Sequence, residues 1–146
     1  MTVIVWDGKT LATDRAASDG VNQWETQKAW YFGEGEDCVI LSGAGALQSV
    51  FEMREWFKGG ALHNEFPSVQ LGPQFCHFVV VSPHIGLYRF EQGPIPIDHG
   101  YTKCAFGEGR DFAIGAMAMG AKAGVAVEIA NKYSVHCGIG VVEYTL

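Results

Sequence analysis

Thr2-Val3-Ile4-Val5-Trp6-Asp7-Gly8-Lys9-Thr10-Leu11-Ala12-Thr13-Asp14 opens the chain and decides its fold. Asp-Gly between two short apolar runs is a strong hairpin signal, because the tight turn that joins twisted strands needs positive φ. The first run, residues 2–6, is almost wholly apolar, as a strand covered on both faces is. Its first residue also carries chemistry. Small residues after Met permit removal of Met1, and Thr2 then holds a hydroxyl and a free α-amine together. That amine has an intrinsic pKa of about 7.7–8.0, against about 10.4 for lysine, so it serves as a base near neutral pH. A threonine hydroxyl activated by its own amine is a known nucleophile.

Outward from the hairpin, residues 15–27 are polar and irregular, and Lys28-Ala29-Trp30-Tyr31-Phe32 is a short strand-like run. An acidic turn over residues 33–37 leads to a buried strand, Cys38-Val39-Ile40-Leu41, which Ser42-Gly43-Ala44-Gly45 breaks. From residue 46 to 58, Leu47, Val50, Phe51, the Arg54 stem and Phe57 fall at helical spacing, and Gly59-Gly60 ends the helix. Residues 61–73 read as loop. A second hairpin is expected over residues 75–82 and 86–90 around Pro83-His84, then an extended Pro-rich stretch to Gly100 and a strand over 101–106. Two Ala-rich helices, 110–120 and 122–132, break near Gly120, and residues 141–145 close the chain as a strand. Strands, helix, strands, helices and strand in that order fit two packed sheets with helices outside.

Three stretches, in order, resemble the proteasome β-subunit family of N-terminal nucleophile hydrolases, especially its bacterial and small phage-encoded members. Thr2 opens a buried strand. Leu11-Ala12-Thr13-Asp14-Arg15-Ala16-Ala17 is similar to the family's second strand and its aspartate. Ala105-Phe106-Gly107-Glu108-Gly109-Arg110-Asp111-Phe112-Ala113-Ile114-Gly115 is similar to its glycine-bounded turn into a helix. The resemblance covers most of the chain, with a helix reduced to loop around residues 59–73. It implies a single α+β domain over residues 1–146, a four-layer αββα sandwich with two antiparallel sheets between helices. It also implies Thr2 as nucleophile, Asp14 as partner of an active-site lysine, Lys28 as that lysine, and Gly43 as donor of a backbone N–H to the oxyanion.

Two positions depart from the family pattern. Glu108 stands where a serine lies between the two glycines; its carboxylate would bind the α-ammonium and raise its pKa, or take the proton itself. In Ser134-Val135-His136-Cys137-Gly138-Ile139-Gly140, Ser134 and Cys137 occupy the places of an aspartate and a serine. A thiol hydrogen-bonds only weakly.

Composition narrows the remaining classes. At 146 residues with 48% hydrophobic and 18% charged residues the chain buries a substantial core, and part of its surface is expected to face other copies. The net charge of −6 and the scattered lysines and arginines argue against nucleic acid and anionic membrane as partners. No apolar run approaches the roughly 18–20 residues of a membrane span, and the first residues lack a signal-peptide pattern. The four cysteines show no CxxC spacing and read as reduced and buried, so a cytoplasmic setting is expected. Adjacent pairs such as Cys76-His77 and His136-Cys137 point to opposite faces of a strand and chelate poorly, so no metal or cofactor is expected. His63, His84 and His99 read as exposed loop residues. Gly115 to Lys122 has P-loop-like glycine spacing inside helical sequence and reads as close helix packing, with Met117 and Met119 filling core.

The expectation is therefore a threonine peptidase acting on peptides or unfolded protein, forming a ring-shaped homo-oligomer, with an ATPase as a possible partner. Two alternatives stand beside it: a catalytically silent architectural or assembly relative, and a small-molecule amidase of the same superfamily.

Overall fold

A computed structural model describes residues 2–146; the expected loss of Met1 concerns a residue outside that range. The opening hairpin pairs β1 (Val3–Trp6) with β2 (Thr10–Asp14) in the register Ile4↔Thr13 and Trp6↔Leu11. Its turn is held by Asp7, whose Oδ1 accepts from the backbone N–H of Lys9 at 2.9 Å and of Thr10 at 2.8 Å. Gly8 takes φ +94°, which the Asp-Gly signal anticipates.

Residues 15–27 are more ordered than their polarity suggests. They form a second small hairpin, β3 (Ala16–Ser18) with β4 (Gln23–Glu25). Asp19 sets its turn, accepting from the N–H groups of Val21 and Asn22. Three-residue strands are too short to show a period, so turn chemistry was the only signal present.

The chain continues through β5 (Ala29–Phe32), β6 (Val39–Ala44), α1 (Leu47–Lys58), β7 (His77–Ser82), β8 (Gly86–Phe90), β9 (Ile97–Gly100) and β10 (Cys104–Gly107). It ends with α2 (Arg110–Ala118), α3 (Ala123–Tyr133) and β11 (Val141–Thr145). Residues 61–73 carry only two short 3-10 turns, His63–Glu65 and Ser68–Leu71, so the expected loop stands. Contrary to expectation, Ser42-Gly43-Ala44 continues strand β6 and pairs with Val79, Phe78 and His77; the break comes at Gly45.

Two antiparallel sheets result, one ordered β10-β1-β2-β11 and the other β5-β6-β7-β8-β9. Alternation along β1 explains its apolar run. Ile4 and Trp6 turn into the gap between the sheets, where they meet Leu11, Ile40, Val79, Val81, Leu87 and Phe106. Val3 and Val5 turn outward beneath α2 and α3, against Ala113, Ala126, Val127 and Ala130. On the far side α1 covers the second sheet through Val50, Met53 and Trp56, packed on Leu41, Phe78 and Val80. This is the expected α+β sandwich with helical layers on the outside of two sheets. The buried stripe of α1 runs Ser49, Val50, Met53 and Trp56, one position round from the expected one, because Leu47, Phe51, Arg54 and Phe57 flank it half-buried.

Smaller corrections concern single residues. His99 lies in strand β9, half-buried, while His63 and His84 are exposed as expected. Met117 fills core, but Met119, just past the end of α2, is exposed. All four cysteines are free; Cys76 and Cys137 are buried, and Cys38 and Cys104 only partly so.

Candidate functional site

The two sheets meet at one end of the sandwich around Thr2, which precedes β1 and is buried to 6% exposure. Glycines let the chain close on it. Gly107, at the end of β10, has φ +95°, and a Cβ there would collide with the Thr2 carbonyl oxygen. Gly109 donates its N–H to that same oxygen at 3.4 Å. The Gly-x-Gly turn thus clasps the backbone of Thr2 from one side.

Beneath Thr2 lies a buried ion pair. Asp14, at the end of β2 and fully buried, accepts through Oδ1 from Lys28 Nζ at 2.8 Å and from the Val3 backbone N–H at 3.1 Å. Its Oδ2 accepts from the Gly138 N–H at 3.2 Å, so one carboxylate ties together β1, the residue before β5 and the approach to β11. Lys28 is held from behind, since Ser42 Oγ donates to its backbone carbonyl at 2.7 Å. Burial pushes the Lys28 ammonium below the ordinary lysine pKa, and the Asp14 charge opposes that fall. A buried carboxylate with two backbone N–H donors and an ammonium is the arrangement that offsets the cost of removing these charges from water.

Two cavities open on either side of Thr2. One, of about 390 Å³, is lined by Thr2, Lys28, Gly45, Glu108 and the hairpin residues Ala17 and Trp24. The other, of about 440 Å³, runs from Thr2 toward the second sheet. Glu108 borders both and is itself exposed, so its carboxylate stands at the shared mouth. Of the residues singled out from the sequence, Thr2, Lys28 and Glu108 share one cavity, with Asp14 directly behind Lys28.

Gly43 is not among them. It lies within β6 opposite Phe78, and a Cβ on it would come within 2.9 Å of both γ-methyls of Val50 on α1. Its bare face meets the helical layer, and it borders neither cavity. The glycine that borders both is Gly45, two residues on. Gly45 has φ +141°, and a Cβ there would lie 2.8 Å from the Cys76 Cα. The sequence held a pointer to it, since the second glycine of Ser-Gly-Ala-Gly is the one that abuts the helix. Trp24 was also missed, because its hairpin was not anticipated.

Ser134 and Cys137 lie just behind this region. Ser134 is buried, and its Oγ accepts from the His136 N–H at 3.2 Å. The Cys137 Sγ packs where Gly109 lacks a side chain: a Cβ there would come within 2.7 Å of it. Burial, and then the charge of Asp14, push the Cys137 thiol up, so it stays protonated and is a poor ligand or nucleophile. Among the described residues no group of three His, Cys, Asp or Glu side chains is placed to hold a metal ion. No helix there is long and apolar enough to cross a membrane.

No protein-family model matches the chain, and no curated protein does. Solved structures match over nearly its whole length. HslV from Trypanosoma brucei superposes with a TM-score of 0.69 at 18% identity, covering 99% of this chain and 98% of that one. The bacterial proteasome homologue BPH of Thiobacillus denitrificans gives 0.73 at 14% identity, covering 100% and 97%. The same protein in complex with epoxomicin gives 0.70 at 14% identity, covering 99% and 97%. At these identities the likeness speaks for architecture, and the chain has the proteasome-subunit-like fold of HslV and BPH.

Proposed function

We propose that this chain is an N-terminal threonine hydrolase of peptide bonds, with Thr2 as its nucleophile once Met1 is removed. The observation that carries the reading is the buried Lys28–Asp14 pair, bonded to the backbone one residue after Thr2, at the edge of a cavity that Thr2 shares with Lys28. An ammonium held in a dry site lowers the cost of forming an alkoxide nearby. Asp14 keeps that ammonium charged against the burial that would discharge it.

In this reading the Thr2 α-amine takes the proton from Oγ as Oγ attacks the substrate carbonyl. The proton then passes to the leaving amine as the C–N bond breaks, leaving an acyl ester on Thr2. Water, deprotonated by the same amine, cleaves the ester and restores the hydroxyl. We assign the oxyanion donor to the Gly45 N–H rather than to Gly43, because Gly45 faces both cavities and Gly43 faces α1. A donor of this kind is worth about 2.7–4 kcal/mol in the transition state. Glu108 at the mouth would bind the α-ammonium and raise the pH at which the amine becomes a base. Peptides or unfolded protein as substrate, a homo-oligomeric ring, an ATPase partner and a cytoplasmic setting belong to the same proposal.

A specific feature supports a second reading, a catalytically silent architectural relative: the buried Ser134 supplies a hydroxyl where the resemblance calls for a carboxylate. Intact mass of protein from its own host, together with epoxomicin labelling, separates the two. Hydrolysis predicts loss of Met1 and a single adduct that Thr2→Ala abolishes. A retained Met1 with no adduct would leave the silent reading standing.

A further inference from the structure

We propose that the cavity between Thr2 and Arg89 is a subsite for a carboxylate of the substrate, with Arg89 as the residue that recognises it. The proposal rests on the hydrolase reading and adds to it the class of substrate.

The argument begins with strand alternation. On β7 and β8 the residues that turn into the gap between the sheets are Val79, Val81 and Leu87, all in the apolar core. His77 and Arg89 stand at the next positions on the same faces, where the pattern calls for further apolar residues. They line the cavity that begins at Thr2, together with Phe75, Phe106 and Arg110. A position that breaks the local rule beside a candidate nucleophile is where function is expected to override packing.

The guanidinium meets its polar neighbours through Nη1, which lies 3.4 Å from His77 Nδ1. Arg89 Nη1 donates to Glu91 Oε1 at 2.8 Å, which fixes the side chain. His77 Nδ1 lies 3.3 Å from that same oxygen. The head group sits 5.7 Å from the Phe106 ring centre, a face that favours a cation. Arg89 Nε, by contrast, is buried and makes no hydrogen bond. A second buried nitrogen without one, His99 Nε2, belongs to a ring that stands edge-on to the same Phe106 at 5.6 Å. An unmet buried N–H costs about 1–3 kcal/mol, and the Arg89 Nε–H beside Phe106 is one.

Arginine presents a planar fork that matches a carboxylate, and Arg89 is among the residues that line the cavity. Arg110, the first residue of α2, adds a second positive charge; its Nη1 donates to the Gly107 carbonyl at 3.0 Å on the cavity's wall. Glu108 borders the cavity beside Gly107 and repels an anion, so the carboxylate belongs against Arg89. Either an acidic side chain or a free C-terminus next to the cleaved bond supplies that chemistry.

The test uses the full chain and synthetic nonapeptides that differ only in Glu or Gln at one position beside the cleaved bond, or in a free or amidated C-terminus, with products followed by mass spectrometry. The expected result is at least a tenfold higher kcat/KM for one carboxylate member of these pairs. Arg89→Met lowers the rate on that peptide at least tenfold more than on the neutral one, so that the preference disappears. Arg89→Lys keeps charge but not the fork; it is expected to fold and still to lose most of the discrimination. The pair that responds identifies a side-chain or a terminal carboxylate. Discrimination below twofold in every pair, with hydrolysis intact, overturns the subsite and spares the hydrolase.

A binding arm covers the case of no hydrolysis. Calorimetric titration with glutarate and glutaramide should show at least tenfold tighter glutarate binding that Arg89→Met removes. Equal affinities overturn the subsite; preferred glutarate without hydrolysis upholds it and overturns the peptidase.

Discussion

The two helical layers grip their sheets in opposite ways. Beneath α2 and α3 the contacts are small: Val3, Val5, Ala12, Ala105, Ala113, Ala123, Ala126, Val127 and Ala130. Beneath α1 they are large, with Trp56 packed edge-on against Phe66 at 5.1 Å and Phe90 at 5.2 Å, and Phe78 and Met53 between them. Small residues allow backbones to approach, and the candidate site lies under that closely packed layer. Gly109 reaches the Thr2 carbonyl only because no side chain separates it from Val3, Ala130 and Cys137. The aromatic layer borders the second sheet's outer face, away from the Lys28–Asp14 pair, and provides bulk rather than close approach. One layer brings backbones close at the candidate site and the other supplies bulk.

That contrast can be broken by size changes in each layer. Trp56→Ala removes a buried tryptophan of the aromatic layer and breaks the bond from its Nε1 to the Leu62 carbonyl, made at 2.9 Å. It should cost about 3–5 kcal/mol in denaturant unfolding while leaving any hydrolysis by the folded fraction unchanged. Asp14→Ala, under the small-residue layer, should cost a similar amount, about 3–5 kcal/mol, because it strands a buried ammonium. Here, however, hydrolysis should fall with stability. The double variant Asp14→Leu with Lys28→Met should recover most of the stability and none of the activity, and its failure to do so would mean the pair is structural first. Ala130→Leu tests the other half of the contrast. Enlargement in the tight layer should cost about 1–3 kcal/mol and push Gly109 off Thr2, whereas Val80→Ile beneath α1 should cost less.

The same contrast explains what was legible in the sequence. The framework was readable because β1, β7 and α3 carry long apolar patterns and the Asp7-Gly8 turn has specific chemistry. Asp14 and Lys28 were found through the resemblance, and the structure brings them into contact. Gly43 lies against α1 and not at a cavity because Ser-Gly-Ala-Gly holds two glycines in different surroundings. One makes room for Val50 on α1, and the other turns the chain at the site. Composition cannot distinguish a glycine needed for helix packing from one needed for positive φ. The β3–β4 hairpin escaped because its strands are three residues each and its wall residue Trp24 is exposed to 43%. Arg89 and His77 gave no signal at all, since a single charged residue in a strand reads as solvent-facing until the register of both sheets is known.

The smallest expected effect concerns the gap between the sheets, which neither helical layer covers. Burial lowers the pKa of His77 and of His99 below the ordinary 6.5, and neighbouring arginines push in the same direction: Arg89 on both, Arg110 on His77. Glu91 opposes the fall at each, as does Asp98 at His99. Between the lowered native values and 6.5 the unfolded chain binds more protons than the folded one, so stability rises with pH through that window. The contribution is therefore fully present above about pH 6.5 and fades as pH falls through the native values. Urea midpoints should decline from pH 7 to pH 5, and the double variant His77→Gln with His99→Gln should flatten that decline while leaving the midpoint at pH 7.5 nearly unchanged. An unaltered slope would mean that the histidines charge as freely in the fold as in water. The gap beside Arg89 would then be wet rather than desolvated, which would also remove the force from the contrast between a dry interior and its unmet donors.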